Sequence, residues 1–503
     1  MKVCLLNDSF PPVIDGVANT VKNYARVLTD CGNDVEVGTP RYPGTDYSGY
    51  PYSVVPYQSF NTTHIVNGYR AGNPFSVTAI EELASFKPDI IHSHCPFSST
   101  IMARILRNET ASPIIFTYHT KFDVDIATAV KGQLIRDRVA KIMVNNVSAC
   151  DEVWTVSHGA GENLKSLGYE GEYRVINNGV DFEKGRVPKE KADSVRADYD
   201  IPEDVPVYLF VGRIMKYKGL PIIAEAMKLL SKEGKDFRMI FVGSGTDKEE
   251  MQKMCIENSL SVDIKDEDGR IRSLAVSEAP GKVIFTGAER DREVLRAWNT
   301  LADLFLFPST YDTNGIVVRE AAACGLSSVL IKDSCAAEGI TDGRNGYIIE
   351  ETGEAMAALL SRIGDDREAL RQTGQHAMDE IYISWDDAVK DAASRYEEIM
   401  EAKRRGMLLP VRKEPSHYVL EAATALVDSS NYLLSVPHSI KEGMMENLTD
   451  VRDELHDTYE EMHDRYGELH DKYTEFVKSV KEGAENLRKR GIGMNKKPES
   501  EEK

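Results

Sequence analysis

Residues 309–325 read Ser309-Thr-Tyr-Asp-Thr-Asn-Gly-Ile-Val-Val-Arg-Glu-Ala-Ala-Ala-Cys-Gly325. An apolar run, Ala302-Asp-Leu-Phe-Leu-Phe-Pro308, comes directly before them, and a second one, Ser327-Ser-Val-Leu-Ile331, follows. This alternation predicts a strand, a loop, a helix and a second strand of a parallel α/β unit. Because the predicted helix opens at the turn Asn314-Gly315, its first backbone N–H groups are free to bind an anion.

Two carboxylates, Asp312 and Glu320, lie eight positions apart around the predicted helix start. Asp312 precedes the helix and Glu320 lies about a turn and a half inside it, so the two can contact different parts of one extended ligand. The alternative is that Asp312 is a loop carboxylate near a helix cap and Glu320 a solvent-exposed helix residue. Motifs elsewhere in the chain favour the ligand interpretation.

The length, charge and cysteine content restrict the class of protein. A chain of 503 residues is too long for one core and predicts two or three domains. The formal net charge of −20 argues against a nucleic-acid partner, since proteins that bind nucleic acids present basic surfaces. Seven cysteines without a CxxC pair indicate reduced thiols in the cytosol.

The sequence shows no segment for export or membrane insertion. No run of eighteen apolar residues occurs, so we expect no membrane span. The chain opens directly on the predicted strand Lys2–Leu6, without the pattern of a secretory signal, and we expect a cytoplasmic protein. His92, His94 and Cys95 lie close together, but packing at a strand edge explains them better than zinc, whose ligand spacing they match poorly.

The first part of the chain alternates strands and helices. The strand Val3–Leu6, a helix from Gly16 and the strand Asp34–Val37 form a βαβ unit. Such alternation predicts an open, mostly parallel, doubly wound sheet for residues 1–182. Further strands are predicted at Asp89–His92, Pro113–Tyr118, Glu152–Val156 and Tyr173–Ile176.

Two residues of this part are candidates for ligand contacts. Gly16 at a helix start lets a phosphate approach the backbone, although a simple turn glycine is an equal alternative. His119 follows a strand end, where an imidazole can hydrogen-bond a sugar hydroxyl, although a lone histidine is more often structural.

A polar, proline-punctuated segment, residues 183–205, predicts a linker to a second α/β domain, residues 206–384. Arg213, Lys216 and Lys218 follow the first strand of that domain. Arginine offers a bidentate fork to phosphate oxygens and lysine a mobile charge, so a diphosphate is the expected ligand, with a solvated basic loop as the alternative. Residues 258–280 are charged and poorly periodic, and we expect a surface insertion there.

With these motifs in order, residues 1–405 resemble glycosyltransferase family 4, the retaining nucleotide-sugar transferases of GT-B fold. The resemblance implies two Rossmann-like domains facing across a cleft and a helix, residues 385–405, that crosses back to the first domain. The motifs that carry it are Pro11-Pro-Val-Ile-Asp-Gly-Val17, Val175-Ile-Asn-Asn-Gly-Val-Asp181, Val211-Gly-Arg213, Lys218-Gly219, the pair Asp312 and Glu320, and Ala336-Ala-Glu-Gly-Ile-Thr-Asp-Gly-Arg-Asn-Gly346.

The resemblance also implies roles for the donor-binding residues. Arg213 and Lys218 would hold the donor diphosphate, with Gly16 approaching it from the first domain, and Glu320 would bind the ribose. No metal is implied, because the two cations and the helix end supply the positive charge at the leaving group. No cofactor is expected besides the substrate, a nucleotide sugar for which UDP-glucose is favoured.

For the sugar, the resemblance implies that Asp312 and His119 contact it from opposite sides. The family usually has glutamate in place of Asp312 and an aromatic residue in place of Asn314, which puts the donor sugar in doubt. Arg319, directly before Glu320, is able to pair with either carboxylate. Backbone N–H groups are expected to add contacts at Asn314, Gly315, Ile316 and Val317.

The predicted reaction is transfer of a hexose to a hydroxyl with retention at the anomeric carbon, under domain closure that excludes water. The Asp15-Gly16-Val17 and Tyr118-His119-Thr120 segments are similar to the glycolipid-forming branch of the family, which includes diacylglycerol glucosyltransferases. We therefore favour 1,2-diacylglycerol as acceptor, with another lipid-linked or polysaccharide acceptor as the alternative. A non-catalytic, nucleotide-sugar-binding partner protein is an alternative of a different class.

The resemblance ends at residue 405. Basic clusters at Lys403–Arg405 and Arg412-Lys413 flank an apolar segment and suggest peripheral contact with an anionic membrane at its inner face, with a plain linker as the alternative. A basic stretch in the first domain supports this contact: Lys131, Arg136, Arg138 and Lys141.

Three consecutive heptads begin at Leu455, Met462 and Leu469, with Leu or Met and Tyr at the spacing of a coiled-coil seam. We predict a helical connector at 406–439, a coiled coil at 440–490 and a disordered tail at 491–503. The coiled coil implies a homodimer, or a helix that folds back on the body of the protein.

Overall fold

The computed structural model describes residues 1–13, 15–62, 69–122, 126, 132–266 and 268–407, all within the first of two units of the chain, Met1–Arg412. The predicted coiled coil and tail, nearly all of the connector, and Lys131 of the basic stretch lie outside these residues, so the C-terminal extension stays a prediction. Among the helices of the described ranges, none combines the length and apolar character that crossing a bilayer requires.

The N-terminal half, residues 1–182, folds around a parallel sheet. Its elements are β1 (Lys2–Leu6), α1 (Gly16–Asp30), β2 (Asp34–Pro40), β3 (Ser53–Tyr57), β4 (Ser59–Asn61), β5 (Arg70–Gly72), α2 (Val77–Ser85), β6 (Ile90–Ser93), α3 (Ser98–Thr110), β7 (Ile114–Tyr118), α4 (Gln133–Ser148), β8 (Glu152–Thr155), α5 (His158–Ser166) and β9 (Arg174–Val175). Seven strands lie in the order β3-β2-β1-β6-β7-β8-β9, and β4 and β5 form a separate antiparallel pair.

The C-terminal half, residues 206–384, repeats this plan. The linker before it contains α6 (Lys189–Asp198). The elements of the half itself are β10 (Val207–Val211), α7 (Leu220–Lys232), β11 (Arg238–Val242), α8 (Lys248–Glu257), β12 (Ser261–Lys265), β13 (Ile271–Ala275), β14 (Lys282–Gly287), α9 (Arg292–Leu301), β15 (Leu304–Phe307), α10 (Ile316–Ala323), β16 (Ser328–Ile331), β17 (Tyr347–Ile349), α11 (Gly353–Ile363) and α12 (Arg367–Glu380). The strand order is β13-β12-β14-β11-β10-β15-β16-β17.

Burial explains why these segments form parallel sheets. All four side chains of β15 are buried, as are the first four of β10, so each strand presents apolar groups to both faces of its sheet. Helices on both faces cover such strands, which is the arrangement that parallel sheets require. The predicted pair of doubly wound sheets is confirmed.

A last helix, α13 (Trp385–Arg404), returns from the C-terminal half to the first sheet. Its Trp385, Val389 and Tyr396 share one buried cluster with Val3 and Leu5 of β1. The Tyr396 ring stacks on Trp154 with centroids 5.5 Å apart, and its hydroxyl lies 2.6 Å from His92 Nδ1. The helix therefore completes the core of the N-terminal half.

Two stretches are more regular than the sequence indicated. The polar linker contains α6, and the expected surface insertion at 258–280 contains β12 and β13, an antiparallel hairpin at the sheet edge. Charge does not prevent a strand in β12, because buried Asp263 accepts a hydrogen bond from Ser273 at 2.5 Å and pairs with Lys282 at 2.7 Å. Side-chain pairing of this kind cannot be seen in hydrophobic periodicity.

Candidate active site

The two halves touch where the carboxyl ends of β7 and β15 meet. The Thr313 hydroxyl donates to the backbone carbonyl of His119 at 2.5 Å. Lys121 Nζ donates to the backbone carbonyl of Thr310 at 2.9 Å. Ligands of open α/β sheets bind at the carboxyl ends of strands, so this junction is the candidate active site.

Lys218 and Asp312 form an ion pair at this junction. Lys218 Nζ lies 2.7 Å from Asp312 Oδ1 and 2.9 Å from Oδ2, and the Ser309 hydroxyl donates to Oδ2 at 2.5 Å. The lysine side chain is only 10% exposed. The structure thus brings the predicted diphosphate ligand Lys218 directly to the predicted sugar ligand Asp312.

Gly219 fixes the position of Lys218. Its φ of +76° lies in the left-handed region, and a Cβ at this residue would come within 2.1 Å of the carbonyl oxygen of Pro308. Only glycine lets the two loops approach so closely. The loop after β10 is therefore held against the loop after β15.

Arg213 extends from the same loop toward the N-terminal half. Its side chain is exposed and donates to the Tyr217 hydroxyl at 2.9 Å. Burial raises the pKa of Tyr69, which donates to Asp15 at 3.0 Å, and the charge of Arg213 opposes that rise. The guanidinium thus influences Tyr69, whose hydroxyl contacts Asp15 directly before α1.

The start of α10 is open to a ligand. Gly315, with φ +58°, provides no side chain to cap the helix, so the N–H groups of Ile316 and Val317 are available to an anion. Asn314 Oδ1 accepts from Arg319 at 3.2 Å, whereas Asn314 Nδ2 is buried without a partner in the described part of the chain. This amide is a donor that a ligand would satisfy.

Glu320 is buried inside α10. Arg292 donates to its Oε1 at 2.7 Å and lies 3.7 Å from Asp181. Burial raises the pKa of Glu320, Arg292 opposes the rise and Asp181 adds to it. The alternative of a solvent-exposed helix residue is wrong for Glu320, because α9 covers it and supplies its ion partner.

His119 is a neutral, buried imidazole. Its Nε2 lies 2.9 Å from Nδ1 of His94, and the two rings stack with centroids 5.2 Å apart. Burial lowers the pKa of His119 to about 3 and that of His94 well below its usual value. The outer nitrogens, His119 Nδ1 and His94 Nε2, are buried without partners among the described residues.

His94 was missed as a candidate by sequence reasoning. His92 donates or accepts at Thr117 and Tyr396, at 2.7 and 2.6 Å, and so has the packing role expected for this cluster. His94 instead contacts the predicted sugar ligand His119. The proximity of His94 and His119 follows from strand order, because each residue directly follows one of the neighbouring parallel strands β6 and β7, whose carboxyl ends lie at one edge of the sheet.

Gly16 is exposed at the start of α1. The Asp15 carboxylate already accepts from Val17 N at 2.8 Å and from Ala18 N at 2.7 Å. An aspartate immediately before a helix is a strong capping signal, and here it competes with a phosphate for the same donors. The N–H group of Gly16 itself is what this helix start can offer.

Two further residues join the halves through contacts that the sequence did not predict. Glu338 accepts from the N–H groups of His158 and Gly159 at 2.8 and 2.6 Å and so caps α5 from the C-terminal half. Arg319 donates to Asn177 Oδ1 at 2.8 Å and to the carbonyl of Ile381 at 2.9 Å. The interpretation that Arg319 pairs with Asp312 or Glu320 is wrong, because these contacts use its guanidinium.

A cavity of 740 Å³ is lined by the Gly287–Glu289 turn, α6 and α9. It does not include Arg213, Lys218 or Asp312. Within the described ranges, no group of three or more His, Cys, Asp or Glu side chains is arranged to hold a metal ion.

Two family models match the chain one after the other. The model described as Glycosyltransferase Family 4 matches residues 14–184, and the model described as Glycosyl transferases group 1 matches residues 191–379. The matches together cover most of both sheets and most of the linker helix, and β1 lies before the first match.

Similar proteins of known sequence include glycolipid enzymes. Alpha-monoglucosyldiacylglycerol synthase of Acholeplasma laidlawii is 23% identical over 376 residues, 72% of this chain and 87% of that protein. Sulfoquinovosyl transferase of Arabidopsis thaliana is 28% identical over 359 residues, 70% of this chain and 62% of that protein. Among solved structures, Anabaena HepE in complex with UDP matches with a TM-score of 0.60 at 16% identity, over 79% of this chain and all of that one.

Proposed function

Because the chain belongs to glycosyltransferase family 4 and has the GT-B fold, we propose that it transfers a hexose from a UDP-sugar to a hydroxyl group with retention at the anomeric carbon. The observation that carries this proposal is the Lys218–Asp312 ion pair beside the uncapped start of α10 and across from His119. Cation, carboxylate and free N–H groups are the three elements that a sugar diphosphate requires.

The diphosphate is proposed to bind between Arg213 and Lys218. Lys218 would exchange the carboxylate of Asp312 for phosphate oxygens, and the exposed Arg213 would close over them with a bidentate contact. The N–H groups at the start of α10 and at Gly16 add partial positive charge. These groups together would stabilise the leaving diphosphate without a metal ion.

The sugar is proposed to lie between Asp312 and the two histidines. Once Lys218 binds phosphate, the Asp312 carboxylate is free to accept from sugar hydroxyls, and Asn314 Nδ2 supplies a buried donor. His119, with a pKa near 3, stays neutral at physiological pH and acts as a hydrogen-bonding group rather than a proton donor to the diphosphate. Glu320 would bind the ribose while its carboxylate also accepts the hydrogen bond from Arg292.

The proposed acceptor is 1,2-diacylglycerol at a membrane surface. The glycolipid enzymes among the similar proteins support a lipid acceptor. Ile135, Arg138 and Lys141 are exposed on α4, a helix after the strand that ends before His119, and an exposed apolar side chain near cations suits an anionic interface. Another lipid-linked or polysaccharide acceptor is the second candidate.

A donor and acceptor panel tests the function. Full-length protein is incubated with UDP- and GDP-hexoses and with diacylglycerol vesicles, and nucleotide release and lipid products are followed. We expect release of UDP and formation of an α-glycosyl diacylglycerol, with the anomer read from the proton coupling constant of the product. A β-anomer would refute retention, and nucleotide binding without turnover across the panel would favour the non-catalytic partner protein.

Membrane contact and dimerisation are separate proposals with separate tests. Flotation with vesicles that contain or lack anionic lipid tests the first, and indifference to lipid would refute it. Deletion of residues 440–503 tests the predicted coiled-coil dimer by sedimentation. An unchanged mass after deletion would exclude that segment as the contact.

A further inference from the structure

A cavity of 280 Å³ lies in the C-terminal half, away from the candidate active site, between the linker, α12 and the turn after α10. Five cationic and two acidic side chains line it. This excess of positive charge is local, since the whole chain carries a formal net charge of −20. The cations are Arg186, Lys189, Arg196, Arg367 and Arg371, and the acids are Asp193 and Asp303.

The two acids neutralise only part of this charge. Asp193 lies 3.9 Å from Lys189 on the exposed side of α6. Asp303 lies 3.4 Å from Arg367 and also accepts from the N–H group of Val207 at 2.8 Å. Asp303 is therefore the one lining carboxylate that the remaining arginines can share.

Two of the other arginines, Arg186 and Arg196, bind backbone carbonyls. Arg186 donates to the carbonyl of Gly325 at 2.9 Å, and Arg196 to that of Pro202 at 2.6 Å. A carbonyl satisfies an N–H group but leaves the positive charge of the guanidinium in place. Burial lowers the pKa of Arg186 and the nearby charge of Arg371 lowers it further, whereas Cys324 and Asp303 oppose this shift. Arg186 and Arg371 both line the cavity, so two like charges lie on its wall.

We propose that this cavity binds a small phosphate-bearing anion at a site separate from the donor diphosphate. Guanidinium forks match the oxygens of a phosphate, and a bound anion would relieve the repulsion between Arg186 and Arg371. A volume of 280 Å³ accommodates pyrophosphate or a sugar phosphate. The anion would join the linker to α12 and reach Gly325, beyond the end of the helix that begins at the donor site.

The binding test uses inorganic pyrophosphate and the full-length chain in an Arg213→Gln background, which weakens the donor site. Calorimetric titration at constant ionic strength should show saturable binding. Adding Arg371→Gln should weaken that binding about tenfold, because one bidentate charged contact is lost. Arg371 is exposed, so its substitution leaves the fold intact, and Arg186→Gln provides a second variant.

Arg362→Gln is the matched control, since Arg362 is an exposed arginine on α11 that does not line the cavity. Unchanged pyrophosphate binding in both cavity variants, or an equal loss in Arg362→Gln, would overturn the proposal. Flotation with phosphatidylglycerol vesicles identifies the source of the phosphate. Loss of lipid binding in Arg371→Gln but not in Arg362→Gln would identify a lipid headgroup as the source. Pyrophosphate binding that Arg371→Gln weakens, without any change in lipid binding, would identify a soluble anion. Neither readout depends on sugar transfer, so failure here leaves the proposed reaction untouched.

Discussion

The two halves of the molecule present different chemistry at the junction where their strands end. In the C-terminal half the side chains are charged and already paired, as in Lys218 with Asp312 and Arg292 with Glu320. In the N-terminal half the central feature is the buried, neutral pair His94 and His119. We infer that the C-terminal half stabilises the charge of the leaving group, whereas the N-terminal half supplies neutral hydrogen-bonding groups.

The paired charges also explain how the site avoids isolated buried ions. A buried lysine without a partner is costly, and Asp312 compensates the charge of Lys218, which the proposed diphosphate would otherwise do. The histidines need no such partner, because burial keeps them neutral. Substitutions in the charged half should therefore change turnover more than those in the neutral half.

The largest effect is expected for Lys218→Ala. Removing this cation deprives the leaving diphosphate of a preorganised charge, and kcat/KM for the UDP-sugar should fall about a thousandfold. Lys216→Ala is the matched control, since Lys216 lies in the same loop but is exposed and pairs with Glu250. Steady-state kinetics of both variants decide the question, and similar losses would mean that only general loop charge matters.

Asp312→Asn should affect binding and turnover in opposite directions. Without the carboxylate, Lys218 is free to bind phosphate, so UDP should bind more tightly. Transfer should nevertheless slow about a hundredfold, because the sugar loses its charged acceptor. Calorimetry with UDP and single-turnover kinetics measure the two effects, and weaker UDP binding would contradict competition between Asp312 and phosphate.

In the neutral half, His94→Leu should lower kcat about tenfold with little change in the KM for the donor, because His119 loses the hydrogen bond that orients its ring. His94→Asn keeps a polar group near the position of Nδ1 and should restore most of the rate. A leucine variant with normal kcat, or an asparagine variant as slow as leucine, would show that His94 only fills space.

The smallest effect concerns acid stability. Between pH 6.5 and about 3 the unfolded chain binds a proton at His119 and the folded chain does not, so the free energy of unfolding falls as pH falls. His119→Asn should reduce this slope by about 1 kcal/mol per pH unit. Urea unfolding between pH 7 and 5 measures it, with exposed His376→Asn as control, and an unchanged slope would show that His119 titrates normally.

Much of the plan could be predicted from local patterns. Apolar runs that alternate with helical patterns predicted the two parallel sheets, since strands buried on both faces produce such runs. The position of Asp312 before α10 and of Glu320 within it follows from helix geometry alone. The capping of α1 by Asp15 is also a local feature, since aspartate is a preferred residue directly before a helix.

Contacts between distant segments could not be predicted in this way. The Lys218–Asp312 pair depends on the close approach of Gly219 to Pro308, and the Glu338 cap on α5 depends on how the halves meet. The carboxylate partner considered for Arg319 was wrong for the same reason, since Asn177 and Ile381 reach it from elsewhere in the chain. One sequence carries no signal for such long-range pairs.

The affinity for UDP is the most direct test of the proposal that Arg213 and Lys218 bind the donor diphosphate. The double variant Arg213→Gln/Lys218→Gln should bind UDP about a hundredfold more weakly than the unaltered chain in calorimetric titration, since two charged contacts to phosphate are lost. Lys216→Gln should bind UDP normally. Undiminished UDP affinity in the double variant would contradict the account, because the diphosphate would then be held elsewhere.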